Sequence, residues 1–98
     1  MNSVFIQLCK QMGLPKPEEE FVFSERKFRF DYAFVDKKVA VEQEGGIWTR
    51  SGHSHPTGII RDMEKYNLAA SLGWRVLRVQ PKDLLKAETF DLIKKTLN

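Results

Sequence analysis

Between Glu20 and Glu44 the side chains alternate in character every second residue, and two short polar turns interrupt the pattern. Phe21 and Phe23 alternate with Glu20 and Val22. After Ser24-Glu25-Arg26-Lys27, the aromatic residues Phe28, Phe30, Tyr32 and Phe34 alternate with Arg29, Asp31 and Ala33. After Asp36-Lys37, Val39, Val41 and Gln43 alternate with Ala40, Glu42 and Glu44. A period of two presents one face of a strand to a core, and a helix does not reproduce it. Three consecutive strands in a meander are therefore expected, and the rest of the chain must pack on that sheet.

Outside the meander the period lengthens. Phe5, Leu8, Cys9 and Met12 recur at helical spacing, with Asn2 or Ser3 as N-cap and Gly13 as the stop. Pro15 and Pro17 then impose an extended exit. Residues 45–58, GGIWTRSGHSHPTG, hold four glycines and no periodicity, which predicts a long loop of the kind that often carries function. From Ile59 to Leu72 a second helix is expected, with Ile59, Met63, Tyr66 and Ala70 on its apolar face and Gly73 ending it. Trp74–Val79 reads as a fourth strand, with Trp74 in the core. Pro81 opens a last helical segment through Leu84, Leu85, Phe90, Leu92, Ile93 and Leu97. The order α-β-β-β-α-β-α predicts a mixed α/β sandwich.

Composition narrows the class. With 98 residues there is room for one domain spanning 1–98, and 42% apolar with 30% charged residues is globular rather than disordered. No apolar run approaches the ~20 residues of a membrane span, and the first residues lack the features of a signal peptide. The single cysteine, Cys9, cannot form an internal disulfide and falls on the apolar stripe of the first helix, where an inert buried thiol is expected. A reducing compartment, the cytoplasm, is the expected location. The net charge of +3 is compatible with nucleic-acid binding without requiring it.

The acids are more informative than the net charge. If the second hairpin centres on Asp36-Lys37, Asp31 lies opposite Glu42. If the first centres on Glu25-Arg26, Glu20 lies opposite Asp31. Glu20, Asp31 and Glu42 would then stand abreast on three neighbouring strands, with Glu44 two residues beyond on the same face. Like charges directly opposed in a sheet cost roughly 0.2–1 kcal/mol a pair. Two readings account for that cost. Either a hard divalent cation, Mg²⁺ or Mn²⁺, sits between the carboxylates, or they line a solvated face balanced by Arg29 and neighbouring lysines.

The segment RKFRFDYAFVDKKVAVEQEGG, followed by the RDMEKYN helix and the GWRVLRV strand, resembles the PD-(D/E)XK nuclease superfamily. Within it, residues 14–81 look like small phage and bacterial endonuclease-like proteins, in the style of the VRR-NUC and very-short-patch-repair-like groups. The resemblance implies a restriction-endonuclease-like α-β-β-β-α-β-α sandwich with a mixed central sheet. It also implies metal-dependent hydrolysis of DNA phosphodiesters, on branched or damaged DNA, in a bacterial or phage-infected cell. Asp31 matches the first metal ligand and Glu42 the second, and Glu20 matches an acid that some members supply from upstream. Glu44 stands where the superfamily usually has its lysine, which departs from the pattern. Lys65, on the second helix, is then the candidate to take over the lysine's role, against the alternative of a solvated helix lysine.

In that chemistry Asp31 and Glu42 hold the cation, Glu44 or a metal-bound hydroxide activates the attacking water, and Lys65 offsets charge on the phosphate. Arg50 and His53 of the glycine-rich loop, with Trp48 as a stacking platform, are candidate DNA contacts. Alternatives for these are a plain polar loop and, for Trp48, a lid or subunit contact. His53 and His55 suggest zinc, but two histidines and one cysteine are too few for a closed His/Cys site. Arg75 and Arg78 have opposite parity, so one of them is expected to face the site. So small a nuclease favours a homodimer with two sites, and no small-molecule cofactor beyond the metal is expected. The competing classes are a DNA-binding module of the same fold that has lost catalysis, and a structural dimerisation domain.

Overall fold

The computed structural model describes residues 3–45 and 56–98. In chain order these form helix α1 (Ser3–Gln11), strands β1 (Glu18–Val22), β2 (Arg29–Phe34) and β3 (Val39–Gln43), helix α2 (Pro56–Ser71), strand β4 (Arg75–Val79) and helix α3 (Ala87–Leu97). Short 3₁₀ turns at Val35–Lys37 and Pro81–Asp83 complete the path. The four strands make one mixed sheet in the order β1-β2-β3-β4, antiparallel except for the parallel β3–β4 pair. The chain is an α/β protein, and its element order is the one the periodicity predicts. No helix among the described residues is long and apolar enough to cross a membrane.

The turns set the registers. Glu18 pairs with Ala33 and Val22 with Arg29, which centres the first hairpin on Glu25-Arg26. Tyr32 pairs with Val41 and Phe34 with Val39, which centres the second on Asp36-Lys37. Lys27 and Lys38 take the left-handed backbone region, with φ of 62° and 52°, and each closes its turn through a backbone hydrogen bond. Both expected hairpin centres are therefore observed, although neither turn carries an Asn-Gly pair and the ladders break at Glu20–Asp31 and before Asp31–Glu42.

Two apolar layers lie on the two faces. On one, Tyr32, Phe34, Val39 and Val41 meet Phe5 and Cys9 of α1 and Phe90, Ile93 and Leu97 of α3, with Leu84 between. The Phe5 ring lies 4.3 Å from Tyr32 and 5.4 Å from Phe90, distances at which aromatic pairs contribute beyond their buried area. On the other face Phe30, Ala33 and Ala40 pack with Ala69 of α2 and with Trp74, which is core as expected. Phe23 stacks flat on Phe30 at 4.1 Å.

Three expectations need correction. Strict alternation along β2 fails at Asp31: Phe30 belongs to the α2-side layer, while Tyr32 and Phe34 belong to the opposite one. The facing residue, Glu20, has a positive φ of 49°, so the kink involves both strands. The predicted apolar face of α2 points inward only at Tyr66, and Ala70 is exposed. Ile59 and Met63 are exposed, and the inward stripe is Lys65, Tyr66 and Ala69. Small Ala33, Ala40 and Ala69 let the helix approach the sheet, and a buried carboxylate on β3 gives its polar residues a partner. Finally, the last segment is a 3₁₀ turn followed by α3 rather than one helix, and Leu85 and Leu92 are exposed.

Candidate functional site

The site forms where β2 and β3 separate. Their last ladder pair toward this end is Tyr32↔Val41. One step further, side chains replace the backbone ladder: the Asp31 N–H donates to Glu42 Oε1 at 3.2 Å, and the Gln43 N–H donates to Asp31 Oδ2 at 2.7 Å. The two carboxylates are thus tied to each other's strands. Glu42 is a buried acid, 7% exposed, on the α2 side of the sheet with Ala40.

A buried carboxylate is tolerated only with donors and positive charge around it. Helix α2 supplies both from consecutive positions. Lys65 Nζ donates to Glu42 Oε2 at 2.8 Å, and the Tyr66 hydroxyl donates to the same oxygen at 2.5 Å. The Lys65 side chain is only 16% exposed, so it is not a solvated surface lysine. Its ammonium also lies 5.7 Å from the centroid of the Phe30 ring. Burial, then the hydrogen bond to Glu42, pushes the Tyr66 phenol well above its usual pKa, so it remains a proton donor across the neutral range.

Glu44 is held differently. Its carboxylate accepts from Arg78 Nε, and the Arg78 guanidinium lies 4.2 Å from the centroid of the Tyr66 ring. Arg78 pairs in register with Glu42 across the parallel ladder and is the β4 arginine that faces the site. The hydrogen bond to Glu44 raises its already high pKa further. Its charge therefore both orients Glu44 and braces Tyr66, which in turn fixes Glu42.

Of the residues singled out in the sequence, Asp31, Glu42 and Lys65 come together, with Glu44 at the edge on Arg78. Glu20 does not join them. The register sets it opposite Asp31, but its side chain turns to Arg29, with 3.8 Å between Arg29 Nη1 and Glu20 Oε2. The left-handed backbone at Glu20 accompanies this departure from the three-acid row. Trp48, Arg50, His53 and His55 lie outside the described residues. Tyr66 faces the sheet as its spacing predicts, but its role as a donor to Glu42 is not expected from the sequence, where the available signal is its place beside Lys65 on a helix packing over a strand with an inward glutamate.

Among the described residues no group of three or more His, Cys, Asp or Glu side chains is arranged to hold a metal ion. Asp31 and Glu42 nevertheless form a donor set of the kind Mg²⁺ uses, since that ion commonly takes one or two carboxylates with water and phosphate oxygens completing its shell. No known protein family, curated protein or solved structure compared with the chain matches it.

Proposed function

We propose that the chain is a metal-dependent DNA endonuclease with a restriction-endonuclease-like, PD-(D/E)XK-type site. The observation that carries this reading is the convergence of Asp31 and Glu42 at the opening between β2 and β3, with the Lys65 ammonium 2.8 Å from Glu42. An acid pair and a cation delivered from separate elements to one point meet the needs of phosphodiester hydrolysis. A Mg²⁺ or Mn²⁺ ion held by Asp31 and Glu42 would supply Lewis acidity at the phosphoryl oxygen and lower the pKa of the attacking water. Lys65 takes the place of the motif lysine that Glu44 displaces, and offsets charge developing on the phosphate. Tyr66 keeps its proton and holds Glu42 in one rotamer. Glu44 is committed to Arg78, which makes it an orienting group rather than the base.

A second reading draws on a specific observation. Glu42 already accepts from Asp31 N–H, Lys65 and Tyr66, so the site is electrostatically satisfied without a metal. That arrangement suits a DNA-binding module of the same architecture without catalysis. Incubation with linear, nicked and four-way-junction DNA in Mg²⁺, Mn²⁺ or EDTA, beside Asp31→Ala, separates the two. Metal-dependent cutting that disappears in the variant supports the nuclease. Binding without cutting supports the module.

A further inference from the structure

Beyond the acid site, α2 and the first hairpin share an unusual cluster of cations. The guanidinium carbons of Arg26 and Arg61 lie 4.7 Å and 5.1 Å from the centroid of the same ring, that of Phe28. Phe28 is buried, so the ring is a fixed platform, and both arginines are exposed. Two like charges on one ring repel, and the ring quadrupole attracts each only modestly. Arg26 has a counter-ion, with 2.6 Å between its Nη1 and Glu64 Oε2. Arg61 has no carboxylate within salt-bridge distance among the described residues. The two guanidiniums line a cleft of about 260 Å³ together with Thr57, Ile60 and Glu64. The cleft therefore presents two fork-shaped donors and a hydroxyl, with a single acid that offsets one of the charges.

Its position gives it a use. Arg61 lies one helical turn before Lys65 on α2, so the cleft adjoins the side of the helix that supplies a cation to Glu42. Guanidinium forks match the geometry of phosphate oxygens, and an aromatic platform beneath them reduces the entropy lost on binding. We propose that this cleft is a seat for a backbone phosphate of bound DNA, held by Arg61 and Arg26 with the Thr57 hydroxyl as a further donor. It positions the strand so that another phosphate of the same strand reaches Asp31, Glu42 and Lys65. The seat extends the nuclease reading to residues that bind rather than react, and that positioning role rests on that reading. Glu64 limits affinity by competing with phosphate for Arg26.

Fluorescence anisotropy of a labelled duplex oligodeoxynucleotide in EDTA, over a range of salt concentrations, tests the seat. Arg61→Gln should weaken binding roughly tenfold near 0.1 M salt and lower the log–log salt slope by about one. Lys94→Gln, an equal charge change at an exposed position of α3, should leave both near the wild-type values. Glu64→Gln should tighten binding, a gain that misfolding cannot imitate. Equal losses for Arg61→Gln and Lys94→Gln, or no gain for Glu64→Gln, would overturn the seat. Wild-type protein that cuts DNA while Arg61→Gln leaves affinity and slope unchanged removes the seat and keeps the nuclease. Protein that fails to cut with either metal, yet depends on Arg61 for binding, keeps the seat as a DNA contact and removes the nuclease.

Discussion

Lys65 donates to Glu42 across 2.8 Å although the two residues are twenty-three positions apart and belong to different layers of the fold. The ion pair is part-buried, and Tyr66 adds a second donor to the same carboxylate oxygen. Removing one member of such a group leaves the other desolvated without its partner, which costs more than the pair's net contribution.

For stability, Lys65→Met should lower the unfolding free energy by about 1–3 kcal/mol, and Glu42→Gln should cost less because it stays a hydrogen-bond acceptor. The double variant should recover part of the loss, since neither charge is then stranded. Urea denaturation of the three variants, read as a double-mutant cycle, measures the coupling. Strict additivity would show that the pair contributes nothing.

In cleavage, Asp31→Ala and Glu42→Ala should abolish metal-dependent cutting while DNA affinity in EDTA is retained or rises, because removing a negative charge eases the approach of phosphates. Gel-based cleavage and anisotropy on the same preparations check this. Lys65→Ala should cut turnover strongly as well, and unchanged turnover would remove Lys65 from the reaction.

Ala69 links packing to the site. It is fully buried against the layer that includes Ala33 and Ala40, one turn beyond Lys65. Ala69→Leu should destabilise the fold by about 1–3 kcal/mol through overpacking. By lifting α2 from the sheet it should also weaken the Lys65–Glu42 contact, so cleavage should fall at temperatures where the variant is still folded by circular dichroism.

Two groups set an alkaline limit. Burial pushes the Cys9 thiol up to about 11 from 9.0, and burial with the Glu42 hydrogen bond pushes the Tyr66 phenol up from 10.0. A group whose folded pKa is raised favours folding fully below its unfolded pKa and loses that contribution as pH rises toward the folded value. Denaturation midpoints should therefore hold near neutrality and decline above about pH 9, first through Cys9 and then through Tyr66. Tyr66→Phe should flatten the upper part of that decline. Cys9 should resist thiol reagents until the chain unfolds.

Residue spacing made the four strands and the pairing of the first three legible, but not the parallel seat of β4 beside β3. The period of two holds along β3 and along β2 from Tyr32 onward, and the turn positions set the register, seen in the Tyr32↔Val41 and Phe34↔Val39 pairs, that brings Asp31 across from Glu42. These are local quantities, fixed by residue spacing and turn length. The rotation of α2 about its axis is not local. Periodicity turns Ile59, Met63 and Tyr66 inward, whereas packing keeps Tyr66 there and brings in Lys65 and Ala69 instead of the other two, because small alanines admit the helix and a buried carboxylate stabilises the fold only with donors beside it. The kink at Asp31 and Glu20, which removed Glu20 from the acid row, is likewise a property of two strands together. Which cation meets which acid follows from the packing of α2 on the sheet, since electrostatic pairing depends on distances that the order of residues does not contain.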